Sequence, residues 1–218
     1  MKHQFFLTIL FISINSIFSQ KSNHPISSSN SNSKTSDSTR DYGKIENGKF
    51  KCNLFKWSIE IPSEFTISTQ ERIKQLEDQG ITAIKENSSY KKIKSNEIVH
   101  LIGFEKEKYT TFNATYQSLE GTQRISLEEH KNFSSKLITE TYTRNGFKID
   151  IQKNNLKLGI HNFYNLKVHL INPQTNQLIL TQEVYTAYIN DHLFTAVLCY
   201  KDENLGKILI SKFVTSFD

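Results

Sequence analysis

The stretch INPQTNQLILTQEVYTAYINDHLFTAVLCY, residues Ile171 to Tyr200, decides the fold. Its segment Asn172-Pro173-Gln174-Thr175-Asn176 is turn chemistry, because Pro presets φ and Asn tolerates the left-handed region. Gln177 to Ile189 then reads as a strand, Asn190-Asp191 as a short turn, and Leu193 to Tyr200 as the returning strand. A turn that short forces the two strands to lie antiparallel.

Working upstream, Ile160 to Leu170 places Ile160, Tyr164, Leu166, Val168 and Leu170 on one face and His161, Asn165, Lys167 and His169 on the other. Phe147, Ile149 and Ile151 alternate with Lys148, Asp150 and Gln152, which makes four strand-like stretches with no helix between them. Glu97 to Phe104 and Tyr109 to Leu119 read as two more strands joined by the charged turn Glu105 to Lys108. In FKWSIEIP, Phe55, Trp57, Ile59 and Ile61 point one way, Lys56, Ser58 and Glu60 the other, and Pro62 ends the strand.

Three segments carry helical signals. Ser68 to Glu71 and Ser126 to Glu129 both show capping-box spacing. The first predicts a helix to about Lys85 with Ile73, Leu76, Gly80 and Ile84 along one stripe, the second a helix with Phe133, Leu137 and Tyr142 inward, ending at Asn145-Gly146. Asp202 caps a third, Glu203 to Phe217, with Leu205, Ile208, Leu209 and Phe213 inward. Meander strands with segregated helices give an α+β fold resembling an α/β/α sandwich: an antiparallel sheet of about six strands packed with about three helices.

The N-terminus speaks to location. In MKHQFFLTILFISINSIFSQ, Lys2 precedes the apolar run Phe5 to Phe18, and Ser19 is small, so residues 1–19 read as a secretory signal with cleavage expected between Ser19 and Gln20. The alternative is an uncleaved anchor, but a spanning helix needs about 20 apolar residues, and Ser13, Asn15 and Ser16 dilute this run. Residues 20–45 are dominated by Ser, Asn and Thr and read as a flexible tether, since they hold too little apolar surface to offset the entropy of ordering them. Residues 46–218 form one domain, large enough to bury about 70 per cent of its unfolded surface.

Charge excludes some partners. The leader holds one of the 27 Lys and Arg residues and none of the 22 acidic ones, so its removal lowers the net charge from +5 to +4. The densest basic run, Lys91 to Lys94, has no interleaved aromatics for base stacking, and Glu105 and Glu107 stand nearby; no nucleic-acid partner is expected.

Chemistry is sparse. The sequence has no HExxH, phosphate loop, GxSxG elbow or EF-hand loop. His24, His100, His130, His161, His169 and His192 lack the close spacing of a compact metal site, and eight strand residues set His161 and His169 about 26 Å apart. No catalytic residue, metal site or cofactor is assigned. His192 beside Asp191 is the most tempting acid–base pair, but neighbours in a strand point to opposite faces. His100 reads as a core or face histidine, and solvent exposure accounts for Asp150 and Glu183. Cys52 and Cys199 both fall in strands; in an exported chain they could form a disulfide, or remain two buried thiols. Asn87, Asn113 and Asn132 head Asn-x-Ser/Thr triplets of the kind glycosylated in a eukaryotic secretory route.

The opening strand ending in Pro (Ile61, Pro62, then Phe65), the long run of strands through Ile171 to Tyr200, and the closing helix LGKILISKFVTSF with Ser216 and Phe217 together resemble PsbP-like domains, which include the Mog proteins. The resemblance covers about Phe50 to Asp218, and the first helix departs from it by its length and regularity. It implies an antiparallel sheet between helices, in a family that usually acts by protein contact without catalysis. The expected role is an exported, periplasmic or secreted, non-enzymatic accessory or interaction module whose partner is another envelope or extracellular protein. The alternative is a small-molecule-binding protein or small hydrolase.

Overall fold

A computed structural model of the chain describes residues 42–87, 98–107, 109–120 and 124–217. The leader, the expected cleavage residues Ser19 and Gln20, the run Lys91 to Lys94 and nearly all of the tether lie outside the described residues. Ten strands and three helices follow in the order β1 (Lys44–Glu46), β2 (Lys49–Cys52), β3 (Trp57–Glu60), β4 (Thr66–Ile67), α1 (Gln70–Asn87), β5 (Ile98–Glu107), β6 (Thr110–Ser118), α2 (Leu127–Arg144), β7 (Lys148–Leu158), β8 (His161–Ile171), β9 (Leu178–Ile189), β10 (His192–Tyr200) and α3 (Glu203–Val214). A 3-10 turn, Thr215–Phe217, closes the chain.

β4 to β10 form one seven-stranded antiparallel sheet in the order β4-β5-β6-β10-β9-β8-β7, and β1 to β3 form a second, three-stranded one. The α+β architecture expected from the pattern is therefore present. Part of the extra strand count comes from Lys44 and Ile45, assigned to the tether on composition, which pair with Lys51 and Phe50. Glu105 to Glu107, read as a turn, instead continue β5 through an irregularity in its pairing with β6.

Side-chain alternation divides the large sheet into two faces. Phe112, Ala114, Tyr116, Phe163, Tyr185, Phe194 and Leu198 join Phe50, Trp57, Ile59, Leu209 and Phe213 in one cluster, beneath α3 and the small sheet. Trp57 is its hub: its ring stands 5.1 Å from Phe194 and 5.6 Å from Phe50, and its Nε1–H donates to Ser216 Oγ at 2.6 Å. Tyr164, Leu166, Val168, Leu180, Val184 and Cys199 point the other way, against Leu137, Ile138 and Tyr142 of α2 and Ala83 and Ile84 of α1. At about 25 cal/mol per Å², the fully buried aromatics of the first cluster alone stabilise by several kcal/mol.

Local signals account for the element ends. Ser126 Oγ accepts from the Glu129 N–H at 3.1 Å while the Glu129 carboxylate accepts from the Ser126 N–H at 2.9 Å, the complete capping box. At α1 the cap is Thr69, whose Oγ1 accepts from the Arg72 N–H at 3.2 Å. Ser68, one residue earlier, instead donates its N–H to Gly103 O. Asp202 caps α3 through Asn204 and Leu205 as expected. Asn190 and Asp191 both have positive φ, the backbone of the tight hairpin turn between β9 and β10. Two apolar positions read as inward are not: Ile160 sits in the β7–β8 turn and is 84% exposed, and Ile208 lies on the outer side of α3.

Candidate functional site

Glu183 overturns its sequence reading. It is 4% exposed, because β9 runs between β8 and β10 and Glu183 lies on the α3 face of an interior strand. Buried carboxylates persist only where their oxygens are satisfied. Tyr185 donates to Oε2 at 2.5 Å and Asn165 to the same oxygen at 3.3 Å; Tyr200 donates to Oε1 at 2.9 Å, with Lys167 Nζ 3.6 Å away. Four partners on three strands thus converge on one carboxylate.

The helix above holds this arrangement shut. The Tyr185 ring packs 4.7 Å from Phe213, and the Tyr200 ring lies so near Gly206 that a Cβ there would come within 2.5 Å of it. Glycine is needed at that point of α3 for the close approach. Burial and the neighbouring Glu183 charge push both tyrosine hydroxyls well above their ordinary range, so they stay protonated and act as donors. The i, i+2 placement of Glu183 and Tyr185 on one strand face is the sequence signal that marks the pair; Tyr200 joins only through strand pairing.

A second polar cluster lies under α2. His130 Nδ1 is 2.8 Å from the Tyr164 hydroxyl, which donates to Ser134 Oγ at 3.2 Å. Burial lowers the His130 pKa to about 3, so the imidazole is neutral. His100, on β5, is likewise held neutral by burial, with a pKa lowered to about 4. Neither of its ring nitrogens has a hydrogen-bond partner among the described residues. Asp150 is exposed, as its strand face suggests.

The remaining candidates are separated. Asp191 pairs with Arg124 at 2.8 Å, while His192 Nδ1 contacts Asn190 O and its ring sits against Phe55 and Tyr116. The two neighbours diverge as strand geometry requires. Cys52 and Cys199 are both buried and not joined in a disulfide; Cys52 belongs to the aromatic cluster and Cys199 to the α2 side. The sheet stands between them, so the bridge permitted by the sequence is not formed here. Burial pushes the Cys199 thiol up to about 12, partly offset by hydrogen bonds with Thr111 and Gln182, which makes it a poor nucleophile. Of the glycan triplets, Asn113 is 7% exposed and the fold leaves no room for a glycan there; Asn132 is exposed and donates to Glu128. The Asn87 side chain lies outside the described residues. No group of three or more His, Cys, Asp or Glu placed to hold a metal ion occurs among the described residues. No helix among them is long and apolar enough to cross a membrane.

No family model matches the sequence, and no curated protein matches it. Among solved structures the chain is similar to cyanobacterial PsbP (CyanoP) from Synechocystis sp. PCC 6803, seen in solution, with a TM-score of 0.50 over 78% of this chain and 90% of that one at 8% sequence identity. At that identity the likeness concerns the fold alone: the architecture is PsbP-like.

Proposed function

We propose that the chain is an exported accessory domain that acts by contact with another envelope or extracellular protein, without catalysis. One observation carries this reading: Glu183 and His130, the acid and the imidazole with converging polar partners, are held in closed structural networks. A general base needs a free lone pair within reach of a substrate proton. Glu183 has its two oxygens shared among Tyr185, Tyr200, Asn165 and Lys167 beneath α3, and His130 is sealed under α2. The apolar leader and polar tether support delivery outside the cytoplasm, with Gln20 as the first residue once the bond after Ser19 is cut. The non-catalytic character of PsbP-like proteins is consistent with the role.

The test is crosslinking in the living cell, followed by isolation of the protein from envelope or medium and identification of what is bound. A reproducible protein partner is expected. Recovery of the protein alone, tightly holding a small molecule, would contradict the proposal.

A further inference from the structure

The free edge of the small sheet has a self-complementary pattern. β1 is Lys44-Ile45-Glu46 and pairs on one side only among the described strands, with β2. Edge strands invite pairing unless defended. β7, at one edge of the large sheet, carries Lys148, Lys153 and Lys157 along its length and is defended in this way. β1 instead exposes Ile45 between one cation and one anion.

We propose that β1 pairs antiparallel with the β1 of a second copy of this chain, about a two-fold axis through Ile45. In that register Ile45 faces its equivalent, and Lys44 of each copy stands opposite Glu46 of the other. Two opposite-charge cross-strand pairs form, and the two three-stranded sheets become one of six strands. Lys44 and Glu46 are free to exchange partners: their ion pair within one chain, at 2.8 Å, is at the surface, with side chains 63% and 40% exposed. Lys51 also reaches Glu46, so two lysines share one carboxylate and the edge has cationic charge left for a second acid.

Apolar surface adds to the charge pattern. A groove of about 270 Å³ lies beside β1, its apolar lining including Tyr42, Ile45, Phe50, Ile67 and Ile73 and its polar lining Lys44, Ser68 and Gln70. Tyr42, Ile45 and Ile67 are 49%, 44% and 43% exposed, and they are three of the six large apolar side chains left open on the described surface. Their concentration at one edge, and not scattered singly, marks a contact surface. The tether residues 20–41 contain Ile26 as their one large aliphatic residue. This contact is separate from the one with another protein proposed above and stands or falls without it.

The test is sedimentation equilibrium of the purified protein at concentrations rising to about 0.5 mM, since a contact of small area associates weakly. Dimerisation is expected in the unsubstituted chain. Lys44→Glu or Glu46→Lys alone places like charges opposite each other twice and is expected to weaken association at least about tenfold. The double variant K44E/E46K restores both pairs in reverse and recovers the dimer. A mixture of the two single variants forms the heterodimer in preference to either homodimer. Near-ultraviolet circular dichroism from Trp57 checks that each variant is folded, which these surface changes leave intact. A monomer at every concentration, a dimer indifferent to both single substitutions, or failure of the double variant to recover association would each overturn the proposal.

Discussion

Lowering the pH from 7 to 5 should destabilise this domain mainly through His100 and His130, with His161, also lowered by burial, acting in the same sense. The first two imidazoles are neutral in the fold because burial disfavours their charged forms, with pKa values of about 4 and about 3 against 6.5 for the exposed group. Below pH 6.5 the unfolded chain therefore binds protons that the folded chain does not. Stability is fully present above the unfolded pKa and is lost as pH falls toward the folded values. Over the interval from pH 7 to pH 5 each histidine removes about 2 kcal/mol by linkage, and the two together about 4 kcal/mol. For a domain of this size that corresponds to a fall in melting temperature of roughly 8–16 °C. Glu46, Glu60 and Glu128 are held below their ordinary range by lysine hydrogen bonds and ion pairs and titrate at lower pH, outside this window. Urea unfolding at pH 7, 6 and 5, followed by Trp57 fluorescence, measures the effect. Substituting His100→Gln and His130→Gln should flatten the dependence even if it lowers stability at pH 7. A midpoint constant between pH 7 and 5, or an undiminished slope in the doubly substituted protein, would refute the assignment of neutral buried imidazoles.

Other outcomes follow from the same contacts. Tyr185→Phe or Tyr200→Phe removes one donor from the buried Glu183 carboxylate and should cost about 1–3 kcal/mol in urea unfolding; combining them should be non-additive, since they share one acceptor. Cys52 and Cys199 should resist thiol reagents in the native protein and titrate as two thiols after unfolding without reductant, whereas finding none would establish the bridge. Amide hydrogen exchange should be faster in the first half of α1 than in α3, because Leu76 packs only in a small cluster with Ile98, whereas Leu209 and Phe213 of α3 enter the main aromatic core and Ala83 and Ile84 at the end of α1 enter the second one. Equal protection of the first half of α1 and of α3 would contradict that ranking.

What can be read from the sequence is local. The capping box at Ser126 and Glu129, the cap at Asp202 and the turn at Asn190-Asp191 depend on residues at most a few positions apart, and each forms where the pattern places it. Trp57 and Ile59 alternate into the core because a strand with one buried face has period two. The larger errors arise where distant elements meet. Glu183 reads as exposed because burial of a carboxylate is disfavoured on average, yet Asn165, Tyr185 and Tyr200 supply the donors that reverse that preference, and apart from Tyr185, two residues along the same strand face, none is identifiable as a donor before the strands are paired. Ile208 fits the helical period of α3, but the helix meets the sheet along the narrower stripe of Gly206, Leu209 and Phe213. Ser216 as the partner of Trp57, 159 residues away, carries no sequence signal.

Along β6 the two sides of the large sheet are built from different materials, and that difference bears on function. β6 is buried along Thr110 to Gln117, yet it sends Phe112, Ala114 and Tyr116 toward α3 and Thr111, Asn113, Thr115 and Gln117 toward the α1 and α2 side. An aromatic face gains the full hydrophobic and stacking contribution and fixes α3 and the small sheet as one rigid body with the strands. The polar residues of β6 gain less from burial and depend on each hydrogen bond being made, while β8 and β9 further along the sheet carry the second apolar cluster on that side. The strength of the aromatic side explains how β1, a three-residue strand, can be held firmly enough to present Lys44, Ile45 and Glu46 in a fixed register: Phe50 of its neighbour β2 and Ile59 of β3 are anchored around Trp57. A contact surface at that edge inherits its rigidity from the core behind it, and so loses little entropy when a partner strand is added.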